Sequence, residues 1–184
     1  MDKPAGNGCT PLVAAAENGN DAMVVALLKA NAKVNKAQIG KDGPNPLVIA
    51  VQGGHETVVV TLLSAGAKIN KAMPDGGRPL FIAAQNGNLG MVAALLGAGA
   101  LVNLTCGGGC TALYVAAQCG HAAVATALLK AGACVDLARD DGATPLFFAA
   151  LKGHAAVVTT LLDGGAAINR PMRDGSTALV NSKL

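Results

Sequence analysis

Residues 144–169 read TPLFFAALKGHAAVVTTLLDGGAAIN, and residues 10–35 read TPLVAAAENGNDAMVVALLKANAKVN. Both segments have a leucine at the third position, a glycine at the tenth and a leucine pair at the eighteenth and nineteenth. The first of these leucines recurs along the chain at intervals of 35, 33, 33, 33 and 33 residues. We call this series the marker leucines: Leu12, Leu47, Leu80, Leu113, Leu146 and Leu179. A period of this length predicts a protein built from stacked copies of one small unit.

The repeated unit has the sequence pattern of two short helices and a turn. Thr10, Thr111 and Thr144 stand where a hydroxyl accepts from the amides of a helix start. A glycine seven residues after the marker leucine fits the left-handed conformation that ends a helix. The paired leucines then lie on one face of a second helix, and we expect that face to be buried. Asp-Gly pairs, such as Asp141-Gly142, are turn signals before the next copy.

A helix–turn–helix unit of 33 residues with Thr-Pro-Leu near its start resembles the ankyrin repeat, and the resemblance covers residues 6 to about 180. It implies an all-α repeat solenoid, an ankyrin-repeat array in which a β-hairpin loop follows each helix pair. We expect one ankyrin-repeat domain over residues 1–184. Its predicted repeats are residues 6–40, 41–73, 74–106, 107–139 and 140–172, with a partial sixth at 173–184. The family's histidine after Thr-Pro-Leu is replaced here by Val, Phe or Tyr, so apolar packing must substitute for its hydrogen bond.

The composition excludes several classes of function. A net charge of +3, with 14% charged and 2% aromatic residues, lacks the clustered cations and stacking rings that nucleic acids need. The N-terminal MDKPAGNGCT has no apolar run typical of a signal peptide, and turn residues interrupt every hydrophobic stretch. Five cysteines without disulfide-like spacing indicate a reducing compartment. We therefore predict a cytoplasmic or nuclear protein that binds neither nucleic acid nor membrane.

One stretch, TCGGGCT at 105–111, resembles a cofactor-binding loop. Gly107, Gly109 and Ala112 fit the G-x-G-x-x-A form of the dinucleotide fingerprint, and Asp136 lies at a plausible distance for a ribose-binding carboxylate. The repeat explains these residues differently. Gly109 aligns with Gly142 and with the other turn glycines, and Asp136 aligns with an asparagine in every other repeat. We expect a hairpin tip here and no cofactor, and a dinucleotide-binding enzyme is the remote alternative.

Histidines and cysteines are the remaining candidates for chemistry. His55, His121 and His154 share one column, so their rings should be spaced by about 10 Å, the distance between packed helices, which is too far for a shared metal. Helix capping is the better explanation for them. Cys106 and Cys110 could pair locally across a hairpin tip, although two separate thiols are the favoured interpretation. No nucleophile motif is present, so we expect neither an enzyme nor a metal site.

The stretch from residue 79 to residue 129 contains no charged residue, and the aromatic residues follow the marker leucines directly. The four aromatics are Phe81, Tyr114, Phe147 and Phe148. They predict either a core between repeats or an aromatic strip on the inner surface. The charge-free stretch indicates either a weakly polar surface of small residues or a contact surface.

By resemblance, the predicted function is a protein-protein interaction module, a binding scaffold without catalytic activity. The alternative is an ankyrin domain excised from a larger multidomain protein and acting in regulation or targeting in cis. Ankyrin-like proteins bind through hairpin tips and the inner surface of their first helices. The matching helix positions are Glu17, Gln52, Gln85, Gln118 and Lys152. We expect a monomer, with weak self-association left open.

Two columns on the hairpin side, 21 and 24 residues after each marker leucine, predict where the partner binds. Repeats one and two carry Lys33, Lys36, Lys68 and Lys71 in these columns. Repeats three and four carry Leu101, Leu104, Cys134 and Leu137, and repeat five carries Ala167 and Arg170. A basic segment beside an apolar one is typical of an interface. We therefore expect a protein partner with adjacent acidic and hydrophobic segments.

Overall fold

The structure is a computed structural model, and it describes residues 9–37, 43–74 and 76–173. In these ranges the chain forms ten α-helices, one 3₁₀ turn at Gly107–Gly109 and no strand. The first helices of the five pairs are α1 (Pro11–Glu17), α3 (Pro46–Gln52), α5 (Pro79–Gln85), α7 (Ala112–Cys119) and α9 (Pro145–Leu151). The second helices are α2 (Asp21–Lys29), α4 (Glu56–Ser64), α6 (Leu89–Gly97), α8 (Ala122–Lys130) and α10 (Ala155–Asp163). The predicted all-α repeat solenoid is confirmed.

Side-chain caps start most of the first helices, as predicted. The hydroxyls of Thr10, Thr111 and Thr144 accept from the backbone amide three residues later at 3.3, 3.1 and 3.2 Å. Asn45 does the same for α3 at 2.9 Å. Arg78 stands at this position in the third repeat and caps nothing, because its guanidinium donates instead to the carbonyls of Asn70 and Thr105. The α5 start therefore lacks the side-chain cap of its neighbours.

The predicted capping role of the histidines is wrong. His55, His121 and His154 do precede the second helices, but none of their side chains caps its helix. Each ring Nε2 instead donates to a carbonyl in the preceding repeat. The acceptors are the oxygens of Glu17, Gln85 and Gln118, at 2.9, 3.0 and 3.1 Å. The last-turn carbonyls of a helix have no partner within it, and this is why a ring from the next repeat can bond to them.

Each histidine ring lies over the turn glycine of the repeat before it. A Cβ atom at Gly87 would lie 2.6 Å from the His121 ring, whereas a Cβ atom at Gly54 would meet no atom within 4 Å. The difference follows from the sequence, because the third repeat has Asn88 in the histidine column. Asn88 caps its own helix through Met91 N at 2.9 Å. The junction between the second and third pairs therefore has no histidine bridge.

First helices pack on first helices and second helices on second helices along the array. The marker leucines from Leu12 to Leu146 are buried, and so is the first member of each leucine pair in α4, α6, α8 and α10. The expected burial fails at two end positions, Met23 in α2 and Leu162 in α10, which are 51% and 40% exposed. The end pairs have only one neighbouring pair in the described part of the chain, which explains the exposure.

The loops after the second, third and fourth pairs are hairpin turns without strands. Met73 N donates to Gly77 O at 2.8 Å, Cys106 N to Cys110 O at 2.8 Å, and Arg139 N to Ala143 O at 2.9 Å. In all three loops the fourth residue donates back to the first. The predicted β-hairpin is therefore a closed turn without strands. The predicted sixth repeat lies outside the described residues beyond Arg173.

Candidate functional site

The hairpin column 21 residues after each marker leucine is exposed in every repeat. Its members are Lys33, Lys68, Leu101, Cys134 and Ala167. Leu101 has 58% of its surface exposed, which is the largest fraction among the exposed large hydrophobic residues of the described chain. More than half of the Leu101 surface is therefore accessible to a partner.

A ladder of side-chain hydrogen bonds holds this column in register. The Oδ1 atoms of Asn35, Asn70 and Asn103 accept from the backbone amides of Lys68, Leu101 and Cys134, at 2.7, 3.0 and 2.8 Å. Both Asp136 carboxylate oxygens accept from Ala167 N, at 3.2 and 3.1 Å. Each rung joins one repeat to the next, so consecutive members of the column are neighbours. The basic and apolar halves of the column therefore form one continuous surface.

The column 24 residues after the marker is less accessible. Lys36, Lys71, Leu104 and Leu137 are partly buried, whereas Arg170 is exposed. The Arg170 guanidinium donates to Asp136 O at 2.8 Å, which ties the fifth hairpin to the fourth. The apolar half of the surface thus consists mainly of Leu101, with Leu104 and Leu137 behind it.

A recess of about 260 Å³ opens on the inner surface between the second and third pairs. It brings together Gln52 and Gln85, two of the predicted helix positions, with Met73 and Phe81. The Gln52 amide lies 3.8 Å from the Met73 sulfur. Glu17 and Lys152 are exposed and Gln118 is partly buried, and none of these three lines the recess.

The aromatic residues of the fourth and fifth repeats form a cluster around Arg139. Tyr114 and Phe147 are 2% and 6% exposed, while Phe148 is partly buried. The Tyr114 and Phe148 rings meet edge to face with centroids 5.1 Å apart, and the Arg139 guanidinium lies 5.5 Å from the Tyr114 centroid and 5.8 Å from that of Phe148. These three rings form part of the core between repeats and not an aromatic strip on the inner surface. The role of Arg139 was not predicted from the sequence.

Arg139 connects the cluster to the hairpin. Its Nη1 donates to the Tyr114 hydroxyl at 3.0 Å, and its Nη2 pairs with Asp141 at 3.1 Å. Burial raises the pKa of the Tyr114 hydroxyl, and the bond from Arg139 offsets part of that rise. Arg139 stands 26 residues after a marker leucine, in the same column as Met73 and Cys106. Comparing the residues of this column across the repeats could have drawn attention to Arg139.

The stretch that resembles a cofactor loop is a hairpin tip. Gly107–Gly109 form a 3₁₀ turn, and Thr111 caps the helix that follows. In the described part of the chain no strand precedes it, whereas a phosphate-binding turn connects a strand to a helix. The described residues also contain no group of three or more metal-ligating side chains. No helix among them is long and apolar enough to cross a membrane.

Stacked helix pairs joined by closed hairpin turns, with an exposed ladder along one side, define a repeat solenoid. Family models show which kind. A model described as ankyrin repeats (3 copies) matches residues 1–73 and 70–139, and one described as ankyrin repeat matches residues 141–173. The chain belongs to the ankyrin repeat family, whose repeats are generally protein-protein interaction modules and typically lack enzymatic activity. The comparison with curated proteins found no match.

Proposed function

We propose that this chain is a binding scaffold without catalytic activity that holds its partner on the hairpin surface. We define the hairpin surface as Lys33, Lys36, Lys68, Lys71, Leu101, Leu104 and Leu137. One observation carries the proposal: the ladder holds exposed lysines and the exposed Leu101 in register on one continuous face. A cytoplasmic or nuclear location and a monomeric state stay predictions.

The chemistry of the hairpin surface fits a partner segment with acidic residues next to apolar ones. Apolar contacts at the centre of an interface supply most of the affinity, because they leave water on binding. Exposed charges mainly steer the approach and set the register. Lysines therefore meet the acidic part of the partner, and Leu101 meets the apolar part.

The first test uses three variants of the full chain as baits in affinity purification with mass spectrometry. One variant changes Leu101, Leu104 and Leu137 to Ser, and one changes the four lysines to Gln. The matched control changes Val60, Leu89 and Leu162 to Ser, since these apolar residues are exposed, as Leu101 is, but lie on the second helices. A partner of the hairpin surface is retained by the control and lost by the leucine variant.

The second test measures affinity for the recovered partner, or for a synthetic peptide with an acidic run beside a leucine-rich run. We expect the leucine variant to lose about 2 kcal/mol or more of binding free energy. The lysine variant should mainly slow association and flatten its salt dependence. If neither the leucine variant nor the lysine variant changes the affinity, and both keep the circular dichroism spectrum and melting temperature, the hairpin surface is not the binding site. The recess that contains Gln52 and Gln85 would then be the next candidate.

The absence of catalysis is tested separately by cofactor titration. We expect NAD and NADP not to bind, because Gly107–Gly109 are a hairpin tip. Saturable binding that is lost in Gly109→Val, with the fold intact, would support the dinucleotide-binding alternative instead.

A further inference from the structure

Cys106 and Cys110 face each other across the base of one hairpin. Cys106 N donates to Cys110 O at 2.8 Å, and Gly109 N donates to Cys106 O at 3.1 Å. In an antiparallel ladder, residues that exchange two backbone hydrogen bonds have Cα atoms about 5.5 Å apart, and Cys106 and Cys110 share one such bond. Disulfides join residues whose Cα atoms are roughly 4.4 to 6.8 Å apart. The closed turn therefore places the two cysteines opposite each other, which is the arrangement that a local disulfide requires.

The three residues between the cysteines are all glycine, which suits closure of so small a loop. Gly108 and Gly109 have φ values of 73° and 78°, and a Cβ atom at Gly108 would meet no atom within 4 Å. A chain without side chains at these positions can adjust its dihedrals when the sulfur atoms approach. The tip also contacts the next hairpin, because Asp140 N donates to Gly108 O at 3.1 Å, so the glycine dihedrals must adjust while this bond is kept.

The pair is particular to this repeat. The equivalent positions are Met73 and Gly77 in the preceding closed turn and Arg139 and Ala143 in the following one. Cys119 and Cys134 are exposed, and neither lies opposite another cysteine in a closed turn. Both members of the facing pair are partly accessible to solvent.

We propose that Cys106 and Cys110 are a modification site, at which exchange with a small disulfide such as oxidised glutathione forms a reversible disulfide across the hairpin. In the first step one cysteine thiolate attacks glutathione disulfide, forms a mixed disulfide and releases one glutathione thiolate. In the second step the other cysteine attacks the protein sulfur and releases the second glutathione. The protein loses two protons and two electrons, and glutathione disulfide gains them to become two glutathione thiols.

Exchange at this site depends on pH. Burial raises the pKa of the Cys110 thiol, and the Arg139 guanidinium opposes that rise. The Asp141 and Asp140 carboxylates add to the rise in pKa. Only the thiolate attacks a disulfide, so a raised pKa slows attack by Cys110 near neutral pH. The closing rate should therefore increase as the pH rises through the alkaline range whenever Cys110 is the attacking group.

The test uses the full chain with Cys9, Cys119 and Cys134 changed to Ser, incubated in mixtures of reduced and oxidised glutathione. Intact mass and peptide mapping then report the product. We expect a species lighter by two hydrogens, with residues 106 and 110 crosslinked, no retained glutathione and an unchanged circular dichroism spectrum. Dithiothreitol should restore the original mass.

A shifted pair is the matched control. Thr105→Cys combined with Cys106→Ser moves one thiol to the neighbouring residue, whose side chain points to the opposite face of an extended segment. This control should accumulate the mixed disulfide, because its closing step should be at least tenfold slower. Equal behaviour of the two pairs, retained glutathione on the native pair, or loss of the native spectrum on oxidation would overturn the proposal. Because the assay involves no partner, its outcome is independent of the proposed binding function.

Discussion

The junction between the second and third helix pairs differs from the junction between the fourth and fifth. At the latter, His154 bonds to Gln118 O, and the Tyr114, Phe147 and Phe148 rings fill the space between the first helices. At the former, Asn88 replaces the bridging histidine and a recess of about 260 Å³ remains. The repeated columns specify the same fold at both places, while the residues that vary decide how strongly neighbours are joined.

Stability in the array is local. Each pair contacts only its neighbours, so a weak junction is not compensated by contacts from elsewhere in the chain. We therefore expect the array to open first between the second and third pairs. The recess at that junction contains residues predicted for binding. A region of low local stability can change its conformation to fit a ligand.

The largest expected difference is between Tyr114→Ala and Phe81→Ala, which change equivalent positions one residue after a marker leucine. Tyr114→Ala should lower the free energy of unfolding by about 3 to 5 kcal/mol, because it empties a buried aromatic site. Phe81→Ala should cost only about 1 to 2 kcal/mol, since Phe81 is partly exposed at the recess. Urea unfolding followed by circular dichroism measures both, and equal losses would show that the junctions are equally packed.

A second contrast isolates the histidine bridge through Gly87→Ala and Gly54→Ala. Both glycines have positive φ, 69° and 73°, so the backbone strain of an alanine is shared. Only Gly87→Ala also displaces a ring, that of His121, and we expect an additional loss of about 1 to 2 kcal/mol. Adding His121→Ala to both variants should remove most of that difference. If the two glycine variants still differ in stability after His121→Ala, the additional loss in Gly87→Ala does not come from the ring.

Tyr114→Phe removes the hydroxyl that Arg139 contacts at the stronger junction. At pH 7 it should cost about 1 kcal/mol, the usual net worth of the hydrogen bond lost from Arg139. Burial raises the pKa of Tyr114 above the value of about 10 in the unfolded chain. The stabilisation from the neutral hydroxyl is therefore complete below pH 10 and is lost as the pH rises through the raised pKa. Unfolding curves from pH 7 to 11.5 should show the gap between wild type and variant narrowing, and a constant gap would contradict this.

The smallest effect is expected from Asn45→Thr in the second repeat. Asn45 is buried and caps α3, but its Nδ2 atom has no hydrogen-bond partner in the structure. Threonine keeps the capping oxygen and removes the buried donor, which should stabilise the protein by about 0.5 kcal/mol. The melting temperature should rise slightly, whereas Thr144→Asn, which introduces the same donor elsewhere, should lower it. A fall with Asn45→Thr would mean that the lost amide volume matters more than the donor.

Much of the fold could be predicted from the sequence because the repeat averages over local ambiguity. Thr10, Thr111 and Thr144 cap the helices where the pattern placed them. The turn glycines from Gly19 to Gly153 all have positive φ, as expected for residues that end a helix. A residue type that recurs five times at the same spacing rarely does so by chance, so its structural role can be predicted.

Contacts between repeats could not be predicted in the same way. A helix-start column of Asn and His gave no reason to separate Asn88, which caps its own helix, from His121, which bonds to Gln85 in the preceding repeat. The distinction depends on the reach of a ring across a junction whose geometry the sequence does not contain. The role of Asn70, which joins two hairpins, and that of Arg139, which connects a hairpin to a ring cluster, depend on the same geometry.

The side-chain ladder from Asn35 to Asp136 also restricts the shape of a ligand. It repeats with the helix packing distance of roughly 8 to 10 Å. A polyproline II segment advances about 9 Å in three residues and returns to the same face. A β-strand advances about 10 Å over three residues but turns to its opposite face. A ligand that meets successive hairpins with equivalent side chains is therefore best matched by the polyproline II conformation, with one contact residue in every three.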